Sequence, residues 1–354
     1  MKKMILSLIV AVAGTLSCFA QDDLVATLNH GSSLTTYMGE DALAQAYEAA
    51  VDGDVITLSP GVFVAVDMKK AIILRGAGYK PMASNGYVST QITGSMSIEI
   101  PSSGTSVFTM EGLDFLNGNI TICSDKKYDV VLSKCKFRRS VYGHGINLKS
   151  THCIFNELNA YYCGSYNGSV IYRSTTLNCQ SCMINNAYSS GLNDDTKMNK
   201  IIATNCIVGV YPNGGDGVPY STFVNSIIIG ATMSHGILPE TGTAHGCIGI
   251  LANGTQSMFA NIIDPTNVMI DGTGDTAYAK IFKTLRNTQE PSLYETFELT
   301  DAAKTTYLGD DGTQVGIYGG TAPFTLESTN PQVTKFVVSS TTEGSQLKVK
   351  INVE

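Results

Sequence analysis

Short apolar runs, each followed by a polar residue, recur along most of the chain. Between residues 130 and 155 the pattern occurs twice, as an apolar run, a polar residue, Cys, any residue and Phe: Lys134-Cys135-Lys136-Phe137 and His152-Cys153-Ile154-Phe155. With the Cys position as a ruler, related units fall at 113, 135, 153, 179, 206, 226 and 262, so the gaps are 22, 18, 26, 27, 20 and 36 residues. The last gap has room for a further unit near Gly246-Cys247. A period of about twenty residues with variable insertions is typical of a solenoid.

The composition of each unit favours strands over helices. The units are too short for a pair of helices and are rich in Ile, Val, Thr, Phe and Tyr, with Asn and Gly between them. One unit cannot bury its apolar face alone, whereas stacked units form a continuous core. The sequence therefore predicts an all-β fold, a right-handed parallel β-helix, in which like residues stack about 4.8 Å apart. We expect ladders of Cys and Ile in the interior, and ladders of Asn at the bends whose amides satisfy each other.

Both ends of the coil are expected to carry caps. Leu43, Ala46, Tyr47 and Ala50 follow helical spacing in a segment that begins at Glu40-Asp41, which predicts an N-terminal capping helix. Alternation of apolar and polar residues resumes at 332–354 and predicts a C-terminal β-hairpin cap. A small separate module and an export signal are the alternatives for this hairpin. The coil with its N-terminal cap is assigned to residues 21–331.

The first twenty residues have the pattern of a signal peptide. Two lysines precede an apolar run, and small residues end at Ala20, before Gln21. The run is too short to span a membrane, so we expect an exported protein, secreted or on the outer surface, with a lipid anchor at Cys18 as the weaker alternative. Removing two lysines changes the formal charge from −7 to −9. That charge argues against nucleic acid and anionic membranes as partners.

The cysteines are expected to pack in the core. The chain has nine, of which eight remain after Cys18, and it is far longer than the small scaffolds that need disulfides. Cys179 and Cys182 form the one local pair that is able to oxidise or bind a metal, with core packing as the favoured role. No metal or other cofactor is predicted.

Two stretches resemble a known superfamily. Residues 46–78, with DGDVITLSPGVF and AIILRGAG, are similar to the start of pectate-lyase-like right-handed β-helix proteins. DGTQVGIYGG at 311–320, followed by Pro323-Phe324, resembles the last coil of secreted β-helix proteins common in Bacteroidetes. The resemblance implies a secreted protein in a superfamily that mostly binds, cleaves or eliminates across acidic polysaccharides, along with adhesins.

No complete catalytic motif accompanies this resemblance. Gly143-His144-Gly145 is similar to a motif of polygalacturonase-like hydrolases, which have an Asp pair before it and an Arg-x-Lys after it, but here Asp194-Asp195 follows the motif and no Arg-x-Lys occurs downstream. Inverting hydrolysis needs two carboxylates that flank the glycosidic bond. We therefore interpret the motif as a turn and leave catalytic residues unassigned.

A cationic and aromatic cluster is the candidate binding site. Arginine and lysine on neighbouring coils are able to pair with an acidic glycan, and tyrosine rings are able to stack on sugars. The candidates for substrate binding are Arg138, Arg139, His144, Lys149, Tyr162 and Arg173. The alternative is a solvated face on which tyrosines pack against loops.

The predicted function is polysaccharide binding, with processing left open, at the cell surface or outside it, and acidic glycan is the expected ligand. A non-catalytic structural or adhesive protein, displaying its loops to a surface protein partner, is the alternative. A further alternative is a polysaccharide lyase or glycoside hydrolase with catalytic residues from separate coils.

Overall fold

The chain forms a parallel β-helix. The computed structural model describes residues 24–79, 89–101, 107–124, 126–161, 163–166, 169–189, 198–210, 218–231, 241–253, 257–259, 262–284, 296–325, 333–343 and 346–353. Two long sheets, of eleven and twelve strands, run along it, and almost all of their pairings are parallel. The all-β coil predicted from the repeat is confirmed.

Helices are few and short. They are α1 Ala42–Ala49, α2 Asp275–Ile281 and α3 Asp301–Thr306. None of the helices in the described residues is long and apolar enough to cross a membrane.

The strands follow one another as successive turns of the coil. In chain order they are β1 Val25–His30, β2 Ser33–Met38, β3 Val55–Leu58, β4 Gly61–Val64, β5 Ile73–Arg75, β6 Thr90–Thr93, β7 Met96–Ile100, β8 Phe108–Glu111, β9 Asp114–Phe115, β10 Ile120–Ser124, β11 Asp129–Ser133, β12 Lys136–His144, β13 Asn147–Thr151, β14 Ile154–Tyr161, β15 Cys163–Tyr166, β16 Ser169–Arg173, β17 Thr176–Gln180, β18 Met183–Ser189, β19 Lys200–Thr204, β20 Ile207–Val210, β21 Thr222–Val224, β22 Ile227–Ala231, β23 Thr243–His245, β24 Ile248–Asn253, β25 Val268–Met269, β26 Val333–Glu343 and β27 Gln346–Val353.

Each coil has three faces. The first sheet, in the order β2-β1-β3-β5-β8-β11-β13-β17-β19-β21-β23, is the first face. Strands of the second sheet bend partway, as the register shift between Phe137 and Ser140 of β12 shows. The part before the bend, which pairs with β9, is the second face, and the part after it, which pairs with β10, is the third face.

A column of buried residues marks the corner between the first and second faces. Its members, each joined to the next coil by a backbone hydrogen bond, are Leu113, Cys135, Cys153, Cys182, Cys206, Ser226 and Cys247. The residue before each has a left-handed backbone, with φ between 48° and 67°, at Gly112, Lys134, His152, Ser181, Asn205, Asn225 and Gly246. This geometry makes the sharp corner, since it turns the chain without a loop.

The column corrects two of the positions that the sequence repeat assigned to the corner, Cys179 and residue 262. Cys182, not Cys179, occupies the corner, because Ser181 and not Asn178 takes the left-handed conformation. Cys179 instead lies in β17, between Ser150 and Ala203 of the neighbouring coils. Cys247 replaces residue 262, so the gaps become 22, 18, 29, 24, 20 and 21 residues. The expected Asn ladder is wrong as well, because Lys, His, Ser and Gly share the corner with Asn.

Stacked side chains fill the interior. Phe115, Phe137 and Phe155 stack with ring centroids 4.9 and 5.1 Å apart and ring planes within 12°. The seven cysteines whose side chains the structure describes are all free thiols, and six of them are buried. Packing is therefore the role that the structure gives to Cys179 and Cys182.

A second apolar core lies outside the coil. In each coil, the residue directly after the corner column points outward. It is charged in one coil, at Lys136, and apolar in the coils that follow, at Ile154, Met183, Ile207, Ile227 and Ile248. These residues cluster with Tyr278 and Ala303 from α2 and α3. The C-terminal segment, of which residues 275–284 and 296–325 are described, thus covers the second face of the later coils, and Gly316 N donates to Asn225 O at 2.9 Å.

The two terminal elements have the following structure. Helix α1 buries Ala42, Leu43 and Ala46, and it contacts β1, β2 and β3. Strands β26 and β27 pair antiparallel. The capping roles of both elements stay predictions, and the predicted signal peptide lies outside the described residues.

Candidate functional site

Tyrosine and histidine side chains form a patch on the outer surface of the third face. Alternation along β12 turns Val141 and Gly143 inward and Tyr142 and His144 outward. His144 lies opposite Tyr161 of β14 in the strand register. Tyr142 and Tyr188 of β18 lie in the same column, on either side of Asn159. We call Tyr142, His144, Tyr161 and Tyr188 the aromatic patch.

Tyr161 is the centre of the aromatic patch. Its ring centroid lies 5.4 Å from His144, with the ring planes 15° apart. Tyr142 and Tyr188 lie at 5.9 and 5.6 Å, tilted by 41° and 45°. All four side chains are partly exposed. The patch therefore presents ring surface from three consecutive coils to solvent.

Tyr161 and Asn159 supply hydrogen-bonding groups at the centre of the aromatic patch. Burial, together with the neighbouring Tyr188, Tyr142 and Glu157, raises the pKa of the Tyr161 phenol. The phenol therefore stays protonated at neutral pH and able to donate a hydrogen bond. Beneath the patch, the Asn159 side chain is buried and its Nδ2 donates to no acceptor among the described residues. Buried amides normally have hydrogen-bond partners, so this nitrogen is a candidate donor to a ligand.

The Gly-His-Gly segment has a structural explanation. A Cβ on Gly143 would lie 3.1 Å from Leu177 Cδ2 inside the coil, and Gly145 has a φ of 65°. Gly145 N donates to the Thr175 hydroxyl at 2.6 Å. The segment is the end of a strand and a tight turn, in agreement with the turn interpretation, and it directs His144 outward.

Two of the longer connections between coil strands begin beside the patch. Residues 162–175 follow β14 and residues 190–199 follow β18, each before a strand of the first sheet, and the first of these connections contains the hairpin of β15 and β16. By contrast only Gly145 and Ile146 separate β12 from β13. Within residues 188–221, β19 and β20 are strands of the coil. Tyr161 and Tyr188 lie at the ends of β14 and β18, where the two longer connections start.

The predicted candidates do not form one cluster. Arg138 makes a two-pronged ion pair with buried Asp114 at the bend of β12, with Nε–Oδ1 and Nη2–Oδ2 distances of 3.1 and 2.8 Å. Arg139 is exposed beside it. Lys149 lies on the first sheet, 3.8 Å from Asp129, and so on another face from His144. The Arg173 guanidinium donates to the carbonyl of Ser124. Tyr162 lies outside the described residues.

The candidates predicted from the sequence include His144 but not Tyr142, Tyr161 or Tyr188. The available signal was their position: Tyr142, Tyr161 and Tyr188 each directly follow an inward apolar or small residue in a third-face strand. Recognising that requires the strand register, because the insertions make the sequence separation between neighbouring coils irregular.

A second polar cluster connects the C-terminal segment to the coil. His245 Nδ1 lies 2.6 Å from Asp264, and its Nε2 lies 2.6 Å from Asp310. Hydrogen bonding to Asp264 and the carboxylate of Asp310 raise the pKa of His245. Hydrogen bonds from Thr266 and His245 lower the pKa of Asp264 to about 2. With both imidazole nitrogens facing carboxylates, the protonated ring bridges the coil to residue 310.

Metal binding finds no support in the part of the chain that the structure describes. No group of three or more His, Cys, Asp or Glu side chains there is placed to hold a metal ion.

Comparison with known proteins gives no relative. No protein-family model, no curated protein and no solved structure matches this chain.

Proposed function

We propose that this protein binds polysaccharide through the aromatic patch. The observation that carries the proposal is the partly exposed group of four rings around Tyr161, on three adjacent coils. Aromatic rings offer a rigid apolar surface with a polar edge, which suits the alternating C–H and hydroxyl groups of a sugar. Asn159 lies in the same column as Tyr142 and Tyr188, and its Nδ2, which has no acceptor among the described residues, is the proposed donor to a sugar hydroxyl.

The charges around the patch bear on the type of glycan. Asp114 neutralises Arg138, and Lys149 lies on the first sheet, so neither supports an acidic ligand on the third face. Arg139 is exposed at the bend, and Arg173 lies by the insertion that follows Tyr161. We retain an acidic glycan as the finer proposal, with Arg139 and Arg173 as the cations that would recognise it.

A binding screen tests the proposal. The purified protein is run through native gels containing neutral or acidic polysaccharides, and at least one glycan is expected to retard it. Tyr161→Ala should weaken that binding by about five- to thirtyfold, the equivalent of about 1–2 kcal/mol for one stacking ring. Lys149→Ala, an exposed change on another face, is the matched control and should leave binding unchanged. Retardation that is insensitive to Tyr161→Ala, or no retardation by any glycan, would count against the patch.

We also propose that the chain is a secreted member of the pectate-lyase-like right-handed β-helix superfamily, of the type found in Bacteroidetes. The parallel coil supports this assignment, together with the sequence resemblance at residues 46–78 and 311–320. Export with cleavage after Ala20 belongs to the same proposal. Amino-terminal sequencing of the protein recovered from culture medium should begin at Gln21, and a blocked terminus at Cys18 would indicate a lipid anchor instead.

A structural or adhesive role is the second candidate, and the first sheet favours it. Its outer surface carries two columns in which uncharged polar residues are the largest group. They are Thr109, Asn178, Thr222 and Thr243 in one column, beside Val131, Lys149 and Ile202, and Ser133, Thr151, Gln180 and Thr204 in the other, beside Glu111, Val224 and His245. Such a face suits contact with a protein surface. In the screen, absence of glycan binding with retention on whole cells would favour this role, whereas growth of absorbance from unsaturated sugar products would favour a lyase.

A further inference from the structure

The first sheet ends in an open strand. Among the described strands β2 pairs with β1 alone, so its other edge has unpaired backbone N–H and C=O groups. Five of its six residues are exposed, including Leu34 at 70% and Met38 at 60%. Edge strands of this kind pair with other chains unless charge, proline or a covering segment prevents it.

Strand β2 has none of the side chains that block pairing. Its sequence is SLTTYM, without charge or proline, in a chain whose formal charge is −7. Two copies are therefore able to approach along this strand without the repulsion that their net charge imposes elsewhere.

The strand is also complementary to itself. Tyr37 lies opposite Ala26, which is buried, so Leu34, Thr36 and Met38 are on the outer side of the sheet. In an antiparallel pair, residues directly opposite each other lie on the same face of the sheet. A two-fold axis through Thr36 therefore places Leu34 of each copy opposite Met38 of the other copy. The two exposed apolar side chains of the strand then cover each other.

We propose that a second copy of this chain pairs with β2, antiparallel and centred on Thr36, so that the first sheet continues across a two-fold symmetric dimer. The pairing satisfies the open edge and removes Leu34 and Met38 from water. It joins the N-terminal ends of two coils, leaving both aromatic patches accessible, and it is independent of the proposed function.

Sedimentation of the purified protein over a range of concentrations up to about 1 mM tests this proposal. The wild type should reach the mass of a dimer, and Thr36→Glu should raise the dissociation constant by at least about tenfold, because two carboxylates would meet at the axis. Thr57→Glu is the matched control, since Thr57 is an exposed threonine on the outer side of β3, away from the edge. It should leave the dimer intact.

A covalent readout defines the register. Residues opposed across an antiparallel pair have Cα atoms about 4.5–5.5 Å apart, which is within the range of a disulfide. Thr36→Cys should therefore give a disulfide-linked dimer under mild oxidation, and Thr57→Cys should not. A wild type that stays monomeric, whether the edge is open or is covered by residues 1–23, overturns the proposal. A dimer that resists Thr36→Glu also overturns the proposal, because the contact would then lie elsewhere, for example at β26 and β27. An open-ended assembly overturns it as well.

Discussion

The ion pair of Arg138 with Asp114 gives a prediction that separates structural from ligand-binding roles. Asp114 is 2% exposed and Arg138 30% exposed, and two charge-assisted hydrogen bonds join them. Arg138→Ala leaves a buried carboxylate without this partner. Breaking a buried pair typically costs about 3–5 kcal/mol. Because Lys136 lies opposite Asp114 and the arginine is partly solvated, we expect a loss of about 2–3 kcal/mol.

The reverse change should cost less. Asp114→Ala removes the buried charge and leaves an arginine that already reaches water, so we expect a loss of about 1 kcal/mol. Urea unfolding, followed by circular dichroism, measures both variants and the double variant. The reasoning predicts that Arg138→Ala lowers the midpoint more than Asp114→Ala does, with glycan binding unchanged. Equal midpoints, or a selective loss of glycan binding in folded Arg138→Ala, would refute it.

Three further predictions concern the core, the thiols and the C-terminal segment. Phe137→Ala should destabilise the protein by about 3–5 kcal/mol, because a buried ring that stacks on both sides is lost, and Phe137→Leu should recover more than half of that in the same urea assay. Buried thiols such as Cys247, whose pKa burial raises to about 11, should react with a thiol reagent only after urea is added, and reaction in native protein would show that the core opens. His245 has a raised pKa in the folded state, so its contribution to stability is present at acidic pH and is lost as the pH rises through that pKa. His245→Gln should flatten this pH dependence, and an unchanged profile would remove the bridge to Asp264 and Asp310 from the account.

The repeat made the coil predictable, but not its phase everywhere. A polar residue followed by Cys occurs at both 178–179 and 181–182, and only backbone conformation distinguishes the corner from the strand. Both cysteines are buried, so hydrophobicity alone does not separate them. Wherever two nearby positions satisfy the same pattern, the sequence alone does not show which of them occupies the corner of the coil.

The sequence also contains a pattern that indicates the second apolar core, in addition to the spacing of the repeat. The residue after the corner position is lysine at 136 but isoleucine or methionine at 154, 183, 207, 227 and 248. An outward position that becomes apolar in successive coils indicates that another segment covers it. The C-terminal segment is the one that covers it, and its described residues include two short helices.

The candidate site was harder to predict because it depends on register. Arg138 and Asp114 are 24 residues apart, yet they meet because their coils are adjacent. Lys149 is close to His144 in sequence, but a turn of two residues moves it to another face. A cluster of charges in sequence therefore becomes several separate sites once the chain coils, whereas Tyr142, Tyr161 and Tyr188 come together.

The most direct test of polysaccharide binding by the aromatic patch compares two double variants. Calorimetric titration with the glycan that binds best in the screen is performed on wild type, Tyr161→Phe with Tyr188→Phe, and Tyr161→Ala with Tyr188→Ala. Because phenylalanine keeps the stacking surface, the first variant should bind within about threefold of wild type, and the second should bind at least about thirtyfold more weakly. Alanine and wild-type proteins that bind the glycan equally well would contradict the account.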